Sequence, residues 1–587
     1  MGSIPELRKP ADPGNRAIDD YRPIKVICIG AGMSGITAGC MIPHQVPNVE
    51  FVIYEKNEDV GGGWYENHYP GLQPDLTPHT YQYTFASNPR WSRFYPPGPE
   101  FENYLKVVAK KFGVYDRTKF RHQLLTARWI EDDGQWEVEL LRLDDNQVVR
   151  DRGEVLIRCM GLVNDWKWPD IPGRQDYEGK MIHTARWDDS YDVTGKRVAV
   201  IGYGATGVQI MPAIQPLVKS VDHYVRGPLW VAPAGGTAME EIIERGERLN
   251  FDHPAEEIEK FSQEPLTYLR YRKRIEQLCN GYQAGLLKDT EANAQLQALI
   301  EANMKATLAP KQGFFEQLRP PYPAGCRRLV MGQRWMEALV KPNANLIPGE
   351  IRRFTKEGIE DADGNIRKYD AIICATGFDT KLDNAKTPIL GQGGITLAEV
   401  WDPEPVAYLS LGLAKMPNMF QIFGPNSAPV AGSICHTMEG ACGYIVKCIT
   451  KLQQEYLKSM VVSPRALQDW MNHVDYWTSK TVLSGTCRTW FKRNIENGRS
   501  IINWPGSAMN AYHAWRNPRW EDWEYESWLP EGQSLRWIGN GMTHAEQHGT
   551  DTTDYMSFAD PKTVLTDEDF KAVEGECKGV PISSTVV

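Results

Sequence analysis

The chain has 587 residues, 42% of them hydrophobic and 24% charged, and a formal net charge of −10. That length and balance predict two large domains, or about three smaller ones, each with a sizeable core, and exclude general disorder. An acidic chain without a long Lys/Arg run gives no electrostatic ground for a nucleic-acid or anionic-membrane partner, and no run of about 18 apolar residues offers a membrane span.

Residues 1–22 read as a loose leader rich in Pro, Asp and Arg. Met1 to Arg8 lacks the apolar core of a signal peptide, and Glu6 stands where a myristoylation signal wants Ser or Thr. The eleven cysteines are scattered, with no CxxC pair and no zinc-site spacing. They are predicted to be reduced thiols of a cytoplasmic protein. The 19 tryptophans crowd toward the C-terminus. They read either as ordinary packing or as an aromatic pocket for a bulky apolar ligand.

The apolar run Ile24, Val26, Ile27, Cys28, Ile29 predicts a buried strand, followed by glycines and then a helix. A second run, Val49 to Tyr54, completes a βαβ unit. Between them lies Gly30-Ala31-Gly32-Met33-Ser34-Gly35. Gly30 permits the tight turn, Gly32 lets the backbone approach a pyrophosphate, and Gly35 lets helix and strand pack closely. The helix N-terminus offers unpaired N–H groups to the phosphates. Glu55 ends the second strand, placed to accept hydrogen bonds from ribose hydroxyls. This is a dinucleotide site, and its N-terminal position with Glu55 assigns it to FAD. Further along, residues 100–112 read as a helix and 125–158 as a strand meander.

The pattern restarts near Lys196, with a strand at Arg197 to Ile201 and a helix from Val208 to Leu217. The turn between them is Gly202-Tyr203-Gly204-Ala205-Thr206-Gly207. The next strand, Val221 to Val225, leads to Arg226 and not to a carboxylate. A carboxylate would repel a 2′-phosphate, whereas a guanidinium holds one by charge-assisted bonds. The second module therefore reads as the NADPH site. A charged, helical insertion is predicted over about 235–330. Residues 366–375 read as one further buried strand, and Asn418 to Phe423 as another. The predicted fold is α/β: two doubly wound dinucleotide-binding domains with a helical insertion in the NADP domain. The expected boundaries are 23–165 for the first part of the FAD domain, 166–380 for the NADP domain, 381–550 for the remainder of the FAD domain with a substrate lid, and 551–587 for a tail.

The motifs resemble those of the type I Baeyer–Villiger monooxygenases over about residues 24 to 500. One signature runs from Tyr177-Glu178-Gly179 through His183 to Trp187, with Tyr177 where the family usually has Phe. A second is Gly61-Gly62-Gly63-Trp64, then Tyr69-Pro70-Gly71, then Asp75. Weaker matches are Cys374 to Asp379 and Asn418 through Gly424-Pro425. The resemblance implies that Gly63, Trp64, Asp75 and Tyr81 line the flavin. It implies that Arg328, in Gly325-Cys326-Arg327-Arg328, is the key catalytic arginine, with Asp75 as its partner. It implies that Arg327 and Arg226 hold the NADPH phosphate, although Gly227 replaces a common Thr. In Cys487-Arg488-Thr489-Trp490-Phe491 it implies a mobile lid, with Trp490 over the nicotinamide ribose. His183 reads as a hinge residue between the modules.

The implied reaction takes NADPH and molecular oxygen and inserts one oxygen beside a ketone carbonyl, giving an ester or lactone. The fixed cation Arg328 suits the negative charge that develops, and a lone buried guanidinium would need Asp75. The aromatic C-terminus hints at a bulky, secondary-metabolite-like ketone. The rivals are an N- or S-oxygenating flavin monooxygenase and, in another class, a flavin-binding NADPH oxidase or redox sensor.

Overall fold

The computed structural model describes residues 15–161, 163–233, 236–380, 387–553 and 556. Strand β1 (Ile24–Ile29), helix α1 (Met33–Gln45) and strand β2 (Val49–Tyr54) form the first βαβ unit. Helix α2 (Gly98–Lys111) and the short strand β3 (Thr118–Lys119) follow. Then come β4 (His122–Ile130), β5 (Gln135–Arg142), β6 (Gln147–Gly153) and β7 (Val155–Arg158). The β4–β5–β6 run is an antiparallel meander.

The second module comprises β8 (Lys180–His183), β9 (Arg197–Ile201), α3 (Ala205–Ile214) and β10 (Ser220–Val225). The predicted insertion is helical, with α4 (Pro265–Gly281) and α5 (Glu291–Leu308) its longest pieces. Strands β11 (Ala344–Pro348) and β12 (Ala371–Cys374) complete this module. The chain then returns to the first module with β13 (Met419–Gln421) and α6 (Ile434–Gln454).

Two five-stranded sheets result, ordered β13-β7-β1-β2-β3 and β11-β10-β9-β12-β8. Every pairing in both is parallel. Parallel sheets need cover on both faces, which is why their strands read as unbroken apolar runs. In β1, Ile24, Val26 and Cys28 meet Ile36 of α1 and Ile445 and Ile449 of α6. Ile27 and Ile29 point the other way, onto Trp129 and Trp136 of the meander. In β9, Val198 and Val200 pack on Val208, Ile210 and Met211 of α3, while Ala199 and Ile201 meet Tyr224, Phe354 and Ile359.

Two local expectations are corrected. The single strand expected over 366–375 is two: exposed Ile366–Lys368 in an antiparallel meander, and buried β12. The described part of the leader is tied down, since Ala17 is buried and Arg22 donates to the carbonyls of Leu452 and Leu457. The aromatic C-terminal segment contains a helix, Ala508–Arg516, and a strand, Trp523–Ser527. The expected tail falls almost wholly outside the described residues. Among the described residues no helix is long and apolar enough to cross a membrane.

Candidate active site

The two glycine loops are built alike. Gly30 and Gly202 have φ of +102° and +104°, in the region L side chains rarely enter. A Cβ on Gly35 would collide with the Gly30 carbonyl oxygen, and one on Gly207 with that of Gly202. Both turns can therefore close only with glycine, and each hands the chain to a helix N-terminus at the C-terminal edge of its sheet. That edge is where doubly wound folds bind nucleotides.

At the first loop, Gly62 packs on Gly32, and Gly63 has open space where a Cβ would point. The Trp64 indole N–H donates to the Tyr81 hydroxyl (3.3 Å), and Tyr81 stacks on Phe101. Glu55 is buried. Its carboxylate accepts the Ala31 and Asn57 backbone N–H groups at 2.6 and 2.8 Å. Burial raises its pKa, and these two bonds oppose the rise. At the end of β13, on the same sheet edge, Gln421, Asn426 and Ser427 each keep a buried polar atom without a hydrogen-bond partner. Such groups are costly unless something polar binds them. The open glycine face and these groups fit FAD.

At the second loop, Arg327 Nη1 approaches the Tyr203 hydroxyl at 3.4 Å, and its guanidinium lies 5.2 Å from the Tyr322 ring centroid. Its Nε is buried and unpartnered. Gly227 lies beside the same Tyr203 hydroxyl, and Arg226 is exposed just after β10. His223 supports the turn from below: Nε2 donates to the Gly202 carbonyl (2.8 Å), while Nδ1 accepts from Trp335 (3.0 Å). Two arginines, one just after β10 and one at the Tyr203 hydroxyl, with no carboxylate at the strand end, fit a phosphorylated dinucleotide.

Between the loops stands an ion pair, Arg328 Nη2 to Asp75 Oδ2 at 2.7 Å. Arg328 was expected to be buried, but its side chain is about half exposed (51%), against 15% for Asp75. The pair acts electrostatically on Tyr81, beside the first loop, and on Tyr69, whose hydroxyl bonds Thr206 of the second. Burial raises the pKa of both phenols, so both stay protonated. A cavity of about 160 Å³ opens alongside, lined by Gln73, Asp75, Gln209, Asn250 and Arg334 among others. Gln209, which the sequence reading passed over, bonds both Tyr69 and Asp75. Its one signal was a polar side chain inside the apolar run Val208 to Met211.

Two other candidates lie in packed surroundings. Trp490 packs edge-on against Phe491, 4.6 Å between centroids, on the core beneath the meander. His183 is buried at the end of β8, stacked on Trp166, and burial lowers its pKa to about 4. The expectation of reduced thiols throughout is also corrected: Cys326 and Cys487 form a disulfide, with Cα atoms 6.4 Å apart. Folding brings the loop of Cys326 against the segment of Cys487, and a separation of 161 residues hid the pair from spacing arguments.

The NAD(P)-binding Rossmann-like domain family matches residues 28–96. An FAD-binding monooxygenase, moxY of Dothistroma septosporum, is 34% identical over 569 residues, covering 96% of this chain and 88% of the relative. A Baeyer–Villiger monooxygenase of Pseudomonas aeruginosa is 29% identical, covering 83% and 88%. Among solved structures, cyclohexanone monooxygenase of Rhodococcus sp. Phi1 bound to NADP⁺ superposes with a TM-score of 0.73 at 24% identity, covering 86% of this chain and all of that one.

Proposed function

Since the chain belongs to the FAD-binding monooxygenases of the Baeyer–Villiger family, and is an FAD-containing, NADPH-dependent enzyme, we propose that it inserts one oxygen beside a ketone carbonyl to give an ester or lactone. Bound FAD supplies the oxygen-activating chemistry and NADPH the two electrons. The observation that carries the reading is the Arg328–Asp75 pair standing between the two glycine loops.

Attack on a ketone carbonyl places negative charge on its oxygen. A guanidinium already fixed by a carboxylate stabilises that charge without reorganising. Asp75 holds the cation in place and leaves its other N–H groups free to point at the reacting oxygen. Arg327 and Arg226 hold the 2′-phosphate, and Gly30, Gly32, Gly35, Glu55, Gly63, Trp64 and Tyr81 hold the flavin side. Trp490 and its lid exclude water above the nicotinamide. The substrate proposed is a bulky apolar ketone, although Trp470, Trp504, Trp515 and Trp523 of the aromatic C-terminal part are packed into the core. The compartment proposed is the cytoplasm, where NADPH is supplied and the eight buried free thiols among the described residues stay reduced. Cys326 and Cys487 are themselves only 0% and 2% exposed, which shields their bond from small reductants.

The test is turnover of a ketone panel under ¹⁸O₂. The expected result is an ester or lactone carrying one labelled oxygen per NADPH consumed. Arg328→Ala should abolish product while flavin reduction by NADPH under anaerobic conditions persists. Oxidation of amines or thioethers with ketones untouched would replace this reading by the heteroatom one. Hydrogen peroxide as the sole product with every ketone would replace it by the oxidase one.

A further inference from the structure

We propose that Gln209 is a positioning residue for oxygenation: it fixes Asp75, and through it Arg328, to the helix that carries the second glycine loop. The inference rests on the reading of Arg328–Asp75 as the reacting centre and adds the element that sets its geometry.

Gln209 lies on α3, four residues after Ala205, between the buried Val208 and Ile210. It is itself buried, at 9% exposure, so its amide must be satisfied inside the protein. Nε2 donates to the Gln73 carbonyl at 2.9 Å and to Asp75 Oδ1 at 3.1 Å. Oε1 accepts the Tyr69 hydroxyl at 2.9 Å. These partners fix which way the amide faces, because a carboxylate and a carbonyl only accept, while the buried, protonated Tyr69 donates. One side chain thus grips both ends of the segment from Tyr69 to Asp75. The segment also wraps closely around it, since a Cβ on Gly71 would strike the Gln209 carbonyl oxygen.

Asp75 divides its two oxygens, Oδ1 to Gln209 and Oδ2 to Arg328. Without the amide, Oδ1 faces the cavity of about 160 Å³ whose wall includes Arg334. The carboxylate could then rotate toward solvent or toward that competing cation, and Arg328 would lose its fixed partner. Because α3 begins at Ala205 and Thr206 of the nucleotide loop, Gln209 also links that loop to the reacting centre by a single side chain.

The experiment compares Gln209→Leu, Gln209→Glu and Arg328→Ala with the wild type. It reads product formed per NADPH across pH, the anaerobic rate of flavin reduction, the NADP⁺ dissociation constant and Tm. Loss of one hydrogen bond to a charged group predicts that Gln209→Leu lowers the oxygenation rate and the product-to-NADPH ratio about ten-fold, with anaerobic reduction within about two-fold. Gln209→Glu sets a second carboxylate against Asp75. Its product ratio should fall further and recover as the pH is lowered toward about 5, which a purely structural defect would not show. A wild-type product ratio and pH profile in both Gln209 variants would overturn the inference. So would a uniform fall of all steps in parallel with Tm, which would mark Gln209 as structural only. Arg328→Ala separates the two levels: if that variant still oxygenates, the reading of the centre fails, whatever Gln209 does.

Discussion

His223 has no charge to offer at neutral pH. It is fully buried, and burial lowers its pKa to about 4 even though its hydrogen bond to the Gly202 carbonyl works the other way. His183 is held down to about 4 in the same way. In the unfolded chain both titrate near 6.5. Between those values the unfolded chain binds protons that the folded protein refuses, so stability rises with pH there and is lost as pH falls from about 6.5 toward 4. Tm should therefore drop steadily between pH 7 and 5, and His223→Asn should flatten that slope while lowering Tm at pH 7. An unchanged slope would assign the acid sensitivity elsewhere. The arginines make a second prediction at this scale. Arg327→Ala and Arg226→Ala should each weaken NADPH about ten-fold while leaving NADH use nearly unchanged, read as kcat/KM for the two nucleotides. An equal loss for both nucleotides would mean that neither arginine touches the phosphate. Arg226 could be singled out from its charge and its place just after a strand, and Arg327 and Arg328 from the motif resemblance. Gln209 was not, since its value lies in partners 140 and 134 residues away.

At the scale of elements, the strands and helices of both βαβ units could be read from apolar runs broken by glycine, because a doubly covered parallel strand leaves no polar alternation. The misreading over 366–375 had a local cause. The turn at Tyr369–Asp370 contains neither Gly nor Pro, and Asp370 is spent on the Arg197 backbone N–H and guanidinium. The disulfide is the larger omission, because it joins two loops no pattern relates. It ties Cys326, next to Arg327 and Arg328, to Cys487, three residues before Trp490. Within the segment expected to be a lid, Lys492 Nζ donates to the Gly485 carbonyl and Asn494 N–H to that of Thr489, so that segment is internally bonded as well as tethered. A crosslink of this span restricts the lid relative to the arginine loop. Cys326→Ser/Cys487→Ser should raise the NADP⁺ dissociation constant and speed proteolysis at Arg488. Peptide mapping without reductant should recover the two cysteines as one linked peptide. Free thiols at both positions in the native protein would remove the tether.

At the scale of the molecule, the chain places a second nucleotide-binding sheet and its helical insertion inside the first module, whose sheet is completed only by β13. That nesting was legible from the two glycine loops and the late apolar strand. The tie between residues 16–22 and the later part of the chain was not, because it runs through backbone groups. Arg22, 6% exposed, donates to Leu452 and Leu457 carbonyls at 3.3 and 3.0 Å and lies 3.9 Å from Glu154. Gln453 returns a bond to the Arg22 carbonyl. Arg16 donates to the Gln454 carbonyl, and Ile18 N–H bonds Met542. The N-terminal segment thus clasps the end of α6 and the C-terminal segment together, beside β1 but away from both glycine loops. Removing residues 1–22 leaves buried carbonyls without donors, each costing about 1–3 kcal/mol. The shortened protein should melt several degrees lower, since about 2–4 °C accompanies each kcal/mol in domains of this size. Its affinity for NADP⁺ should stay the same, because the hydrogen bonds of the described clasp residues go to Gln454, Leu452, Leu457 and Met542 and not to Arg226, Arg327 or the second loop. Arg22→Ala should reproduce part of the melting shift on its own. An unchanged Tm in both variants would show that the clasp does not contribute to stability, and a loss of nucleotide affinity would show that the clasp and the NADP module are coupled after all.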